Sequence, residues 1–348
     1  MKGPLSSIVA SIRLAKSTAF LCAVLLPFAA CTKKQPEKDQ SGHHDALPHL
    51  SRKNYAFSNL FNGILIKSSV ECAPSERSAL AAVAATNSYE LDINLRVLWP
   101  KAATTPADLT AATPELPTLL PNLPKLLDGV TPSPDYAALL ERKEKSLKAN
   151  LSSLQRLPYR DSLFDCQTIL KLQNKETGRQ ALFVQAIMNV NTDGSDGDRN
   201  LAIDKLSLTF QPQTNYRWAK TSEHPNPCLR DSESRQALLQ AELATGTLVP
   251  EEKTKLKKEL EVAKATSEEL RRWSFLVGTA DPFIVLPSFM VGKGPGQPSI
   301  GDYAVVIAHG KLYPAVLGDL GPSSKIGEAS LRICREIDGK SGAERRPS

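Results

Sequence analysis

Between Pro100 and Pro134 the chain cannot carry a long helix or a long strand. Pro114, Pro117, Pro121 and Pro124 interrupt it every three or four residues. Each lacks an amide donor and restrains the residue before it. The same stretch holds the leucine pairs Leu119-Leu120 and Leu126-Leu127, and a disordered linker would be poorer in leucine. Short helical turns packed on a neighbouring surface are therefore expected. Upstream, Ser78 to Ala85 reads as a short helix, and Tyr89 to Trp99 alternates as a strand does. Downstream, Asp135 to Leu154 reads as an amphipathic helix with a lysine-rich exposed side. Residues 54–160 thus form an α-rich N-terminal region in which no chemistry declares itself.

Beyond residue 160 the period changes. Ala181 to Val190, Leu206 to Phe210 and Phe283 to Leu286 read as strands. Tyr303 to Ala308 and Leu312 to Leu317 flank His309-Gly310, a hairpin turn signal. Between these strands, residues 222–271 look like an inserted helical hairpin. Ser234 to Ala244 and Pro250 to Trp273 are rich in helix formers, with Pro250 where a first turn tolerates it. Its Glu/Lys pattern is that of a solvated face, so packing or a partner surface is expected there rather than catalysis. The fold expected is mainly β: a small barrel over residues 161–338, interrupted by the hairpin and followed by a tail, 339–348.

The N-terminus reads as an export signal. Lys2, Arg13 and Lys16 are the only charges before residue 33, and an apolar run, Ala19 to Leu26, follows them. The run ends in Phe28-Ala29-Ala30-Cys31, which resembles a bacterial lipobox with Phe28 where leucine is usual. Cys31 would then be lipidated and anchor the mature chain to a membrane without a spanning helix. The alternative is a plain secretory signal, but Phe28 or Pro27 would fall where signal peptidase wants a small residue. Thr32, rather than aspartate, follows the cysteine, which by resemblance favours the outer membrane. A lipid-anchored or secreted protein of the bacterial cell envelope is expected, with residues 1–30 removed and 31–53 as a tether. His43, His44 and His49 lie in that tether and read as solvated linker residues rather than metal ligands.

Losing residues 1–30 removes three basic residues and no acidic one. Forty basic residues then stand against 37 acidic, a formal charge of +3. Such a balance does not argue for nucleic acid as a partner. Cys72, Cys166, Cys228 and Cys334 are widely spaced without a CxxC pair, so zinc is not indicated. In an oxidising periplasm they allow two disulfides, with three connectivities open. No metal or cofactor is expected. The run Asp193-Gly194-Ser195-Asp196-Gly197-Asp198 could hold calcium, but Asp204 stands where an EF-hand has glutamate, and a polar turn is the better reading.

Chemistry concentrates in Leu317-Gly318-Asp319-Leu320-Gly321-Pro322, followed by Ile326-Gly327-Glu328-Ala329-Ser330. Asp319 closes a strand, a Gly/Pro/Ser loop turns the chain, and Glu328 is expected to open a helix running to Ile337. Two carboxylates from one loop suit glycosidic hydrolysis, where one protonates the leaving oxygen and the other activates water or attacks carbon. Taken alone, a Glu in a first helical turn also fits plain dipole capping.

The order of motifs resembles the family 75 chitosanases. Gly301-Asp302-Tyr303, Gly310-Lys311-Leu312-Tyr313, Gly318-Asp319 and Gly327-Glu328-Ala329-Ser330 are similar to the family's closing hairpin, Gly-Asp and Gly-Glu-Ala-Ser. Met188 to Gly194 resembles its Ile-Asp-Thr/Cys-Asp-Gly strand end, with Asn191 in place of the first aspartate. Gln213-Thr214-Asn215-Tyr216 is similar to its Gln-Thr-Ser-Tyr/Phe, and Asp281 to Pro287 to the segment before the hairpin. The resemblance implies an inverting endo-glycosidase acting on chitosan, with Asp319 as general base and Glu328 as general acid. It further implies a small double-psi barrel and a substrate cleft touching Asp193, Asp302, Thr214 and Tyr216. A polycationic substrate would suit an acidic cleft. A non-catalytic surface lipoprotein binding glycan or a partner on the same scaffold is the alternative. Hydrolysis of another amino-sugar polymer, such as peptidoglycan, is a third reading.

Overall fold

The computed structural model describes residues 8–13, 78–84 and 95–347, apart from 156, 159, 200, 202–206, 208, 246–247, 295 and 344. Cys31, the tether, its histidines, Cys72 and most of the expected Tyr89–Trp99 strand lie outside the described residues. Leu95 to Trp99, the described end of that strand, is irregular. Among the described residues ten strands are present: β1 Ile8–Arg13, β2 Cys166–Gln173, β3 Gln180–Ala186, β4 Asn189–Asn191, β5 Arg217–Ala219, β6 Trp273–Phe275, β7 Phe283–Pro287, β8 Tyr303–Ala308, β9 Lys311–Gly321 and β10 Glu328–Ser330. Nine helices accompany them among the same described residues: α1 Ala79–Ala84, α2 Pro106–Ala112, α3 Leu116–Leu119, α4 Leu123–Leu126, α5 Pro134–Ser152, α6 Arg160–Leu163, α7 Leu229–Ala244, α8 Pro250–Arg272 and α9 Leu331–Ile337. The architecture is mixed α/β, with five strands curled into a half-barrel and the helices in pairs, so the mainly-β expectation is corrected. Helix formers in the insertion and the N-terminal region outweigh the short strands.

One sheet runs β2-β3-β1-β8-β9-β7-β10-β4, and β5-β6 form a second, two-stranded one. β1, which falls within the expected export signal, pairs antiparallel with both β3 and β8. The β8–β9 hairpin turns on His309 and Gly310, both at positive φ (49° and 72°), as a two-residue turn matched to strand twist requires. β7 lies parallel to β9, β10 antiparallel to β7, and β4 parallel to β10.

Alternation along β3 explains why helices cover both faces. Leu182, Val184 and Ala186 join Tyr136 and Leu139 of α5 in one core, together with Val306 and Leu317. Ala181 and Phe183 point the other way, into a second core with Leu109, Leu116 and Leu123. These last belong to α2, α3 and α4, the short proline-started turns expected from the sequence. Pro106, Pro117 and Pro124 each occupy a first-turn position, where the missing amide costs nothing.

The inserted hairpin forms as expected. Leu239 on α7 packs against Leu260 and Ala263 on α8, while Phe210, Cys228, Leu270 and Phe275 close its base. Ser207, Thr209 and Phe210, expected within a strand, are irregular. Cys166 and Cys334 carry free, buried thiols, so the two-disulfide arrangement does not form. Glu328 opens no helix: it lies in β10, and Ser330 caps α9 by accepting from the Ile333 amide (3.4 Å).

Candidate active site

Strand order brings Asp319 and Glu328 together. β7 runs between β9 and β10, and Val285 on β7 is the register partner of Asp319 on one side and of Glu328 on the other. Two inter-strand steps separate the two backbones by about 9.5 Å. The register between β7 and β9 shifts at Ile284/Val285, leaving Gly318 as the extra residue of a bulge that re-aims Asp319. Only glycine fits at 318, because a Cβ there would lie 2.6 Å from Leu276 and 2.7 Å from Phe283. Gly321 sits two residues beyond Asp319 on the same face of β9. A Cβ on Gly321 would fall 3.0 Å from Glu328 Oε2, so the Glu328 carboxylate reaches across to the face that carries Asp319.

Both carboxylates line a cleft of about 620 Å³, with Asp193, Thr214, Lys325 and Glu269 among its walls. The segment 213–216 is laced onto β9 around Asp319. Asn215 N donates to Asp319 Oδ1 (2.9 Å), Leu320 N donates to Asn215 Oδ1 (3.1 Å), and Tyr216 N donates to Gly318 O (2.7 Å). Burial raises the Asp319 carboxyl to about 7; the Asn215 and Leu320 amides oppose the rise, while Asp193 and Glu328 add to it. Burial also raises Glu328, against Lys325 and with help from Asp193 and Asp165. Because Glu328 belongs to a strand, it does not serve as a dipole cap in a first helical turn. Asp193 is raised by burial too, while accepting from Gln211 N (2.8 Å) and from the Asn191 side-chain amide (3.1 Å). Asn191 thus donates to Asp193, a bond that a second ionised carboxylate in its place could not make.

The other expected contacts divide. Thr214 lines the cleft, but its hydroxyl is engaged, donating to Tyr216 O (3.0 Å) and accepting from Leu276 N (3.1 Å). Tyr216 is partly exposed and covers Gly301, whose Cβ would lie 2.9 Å from its ring, rather than the cleft. Asp302 is fully buried ahead of β8 and accepts from Ser299 N (2.6 Å), away from the cleft. The Asp193–Asp198 run is a turn held by protein donors. Asp196 pairs with Arg199, and Asp198 accepts from Trp218 Nε1 (3.0 Å) and Ser222 N (3.0 Å).

Two wall residues, Glu269 and Arg217, had no sequence signal. Glu269, near the end of α8, accepts from Gln213 Nε2 (2.6 Å) and from Arg217 (2.8 Å), so the insertion contributes a side chain to the cleft. The even Glu/Lys spacing of α8 hid it among solvated charges. No protein-family model, curated protein or solved structure matches this chain.

Proposed function

We propose that the cleft is the catalytic groove of an inverting endo-glycosidase that hydrolyses chitosan-like glucosamine polymers. The observation that carries this reading is the pair of carboxylates, Asp319 buried and Glu328 half-buried, facing one cleft from either side of Val285. Inversion needs carboxyl groups roughly 6.5–9.5 Å apart, with room for water between them. The backbones stand about 9.5 Å apart with both side chains on one face, and Glu328 reaches inward over Gly321, so the carboxyl groups are closer together than their backbones.

Of the pair, one carboxyl must hold a proton while the other has lost it. Burial favours protonation of both. A protonated amino sugar seated beside Asp319 stabilises its carboxylate, and an ionised Asp319 in turn keeps the proton on Glu328. Asp319 then draws a proton from the attacking water, and Glu328 gives its own to the departing glycosidic oxygen. Asp193, clasped by Asn191 and Gln211, adds a further negative charge toward a cationic chain. Thr214 and Tyr216 support Asp319 through backbone contacts in this reading, and Asp302 shapes the approach to the hairpin rather than touching sugar.

The finer fold reading, a small double-psi barrel, draws on the parallel pairings of β7 with β9 and of β10 with β4. Lipid anchoring at Cys31 would place the enzyme on the cell envelope, facing polysaccharide, and the accompanying loss of residues 1–30 would take β1 from between β3 and β8. Release of reducing ends from chitosan tests the function. The wild type is expected to be active and Glu328→Gln and Asp319→Asn to lose at least about a thousandfold in kcat. Turnover surviving in Glu328→Gln removes that residue as the acid. Binding without turnover by the wild type would favour the glycan-binding alternative.

A further inference from the structure

The loop joining the two carboxylates, residues 322–327, is anchored from the N-terminal helical region. Lys143 of α5 is buried, and its ammonium makes three bonds: to Asp165 Oδ2 (2.8 Å), to Ser162 O (2.7 Å) and to Ser324 O (2.8 Å). The same Asp165 oxygen accepts from Ile326 N (3.4 Å), and Asp165 O accepts from Ile187 N (2.8 Å). A second cavity, of about 320 Å³, lies against this loop and touches Lys143, Ser324 and Lys325. Packing alone therefore does not fill the space beneath the loop, and polar bonds hold it in place. Glu328 stands two residues beyond Ile326.

We infer that Lys143 and Asp165 are a positioning pair, which fixes the 322–327 loop and so sets the reach of Glu328 over Gly321 toward Asp319. A buried ion pair is a weak source of stability but a strong geometric constraint, because neither charge can leave its partner. The ammonium is strictly a donor and needs three acceptors in one place. Two of them belong to the Ser162–Asp165 segment and the third to the loop, so Lys143 couples those two pieces of chain. The groups facing Glu328 are Lys325 from its own loop, Asp193 beyond β4, Asp319 on β9 and Asp165 ahead of β2. Asp165 therefore acts on Glu328 through charge as well as through the loop.

The consequence for turnover rests on the glycosidase reading, whereas the position of the loop is measurable without it. The test uses the full chain carrying Lys143→Met together with Asp165→Asn, since Lys143→Met alone leaves a buried carboxylate that can prevent folding. Two readouts need no substrate: amide hydrogen exchange at Ile326 and Gly327, and carbon-13 titration of the Glu328 carboxyl, assigned by comparison with Glu328→Gln. In the folded double variant, protection at Ile326 and Gly327 is expected to fall at least about tenfold while that of β8 and β9 holds. The Glu328 midpoint is expected to move down, toward an ordinary glutamate. On chitosan, kcat should fall at least about tenfold with KM within about threefold. Unchanged protection and an unchanged Glu328 titration would overturn the inference, leaving the pair as core support only. A wild type inactive on every polymer would sink the glycosidase reading, and exchange and titration would still decide the positioning.

Discussion

At the scale of the residue, the site is defined by what burial does to carboxyl groups. Asp319 is only 8 % exposed and has a folded pKa of about 7 against 3.8 for a free aspartate. The folded protein therefore holds a proton there that the unfolded chain releases, between about pH 4 and 7. Stability contributed by that proton is complete below pH 4 and is lost as pH rises through 7. Asp319→Asn should remove this slope and raise unfolding free energy at pH 8 by roughly 2–4 kcal/mol, while abolishing turnover. Urea unfolding at pH 5 and pH 8 checks it; equal destabilisation at both pH values would contradict it. Gly327 makes a backbone prediction. Its φ of 81° is left-handed, and a Cβ would lie 1.8 Å from Ile187 O. Gly327→Ala should cost at least about 2 kcal/mol, read from the same unfolding curves.

At the scale of the element, the site is assembled from strand order, and here the sequence was only partly legible. The proline-started turns, the helix from Pro134 to Ser152, the β8–β9 hairpin and the inserted helix pair all follow from local chemistry: proline placement, apolar period and His309-Gly310. Strand Glu328–Ser330 did not, because three residues between a loop and a helix carry no period of their own, and a capping serine at 330 is as good a helix start as Gly327-Glu328. The bulge at Gly318 is likewise a matter of pairing with β7, far back in the sequence, in the register of Ile284 and Val285. Asp193, Asp319 and Glu328 were legible as carboxylates in glycine-flanked motifs. Glu269, Arg217 and the Lys143–Asp165 pair were not, because their meaning comes from tertiary contact alone. The Glu269 contacts yield an element-scale prediction. Glu269→Ala frees Gln213 and Arg217 on the cleft wall, yet its ion pair is well exposed (side chains 39 % and 41 %). Stability should change by less than about 1 kcal/mol, while KM for chitosan rises about three- to tenfold. An unchanged KM would mean that the insertion does not shape the groove.

At the scale of the whole molecule, regions that look separate in the sequence share one site. The N-terminal helices cover the sheet and send Lys143 to the loop behind Glu328. The insertion leaves between β5 and β6 and returns beside its point of departure, where Lys220 N donates to Arg272 O (3.0 Å), and on the way it delivers Glu269. The curled sheet sets Asp319 and Glu328 across Val285. In the proposed inverting reaction their spacing fixes the stereochemistry of the sugar released, because a water must fit between carboxyl and carbon on the face opposite the leaving group. Proton NMR of the first reducing ends formed from β-linked chitosan reads that outcome directly. The α-anomer appearing first, before mutarotation, is the result expected of Asp319 and Glu328 acting from opposite sides of one bond. The β-anomer appearing first, or no reducing end appearing at all, would contradict it.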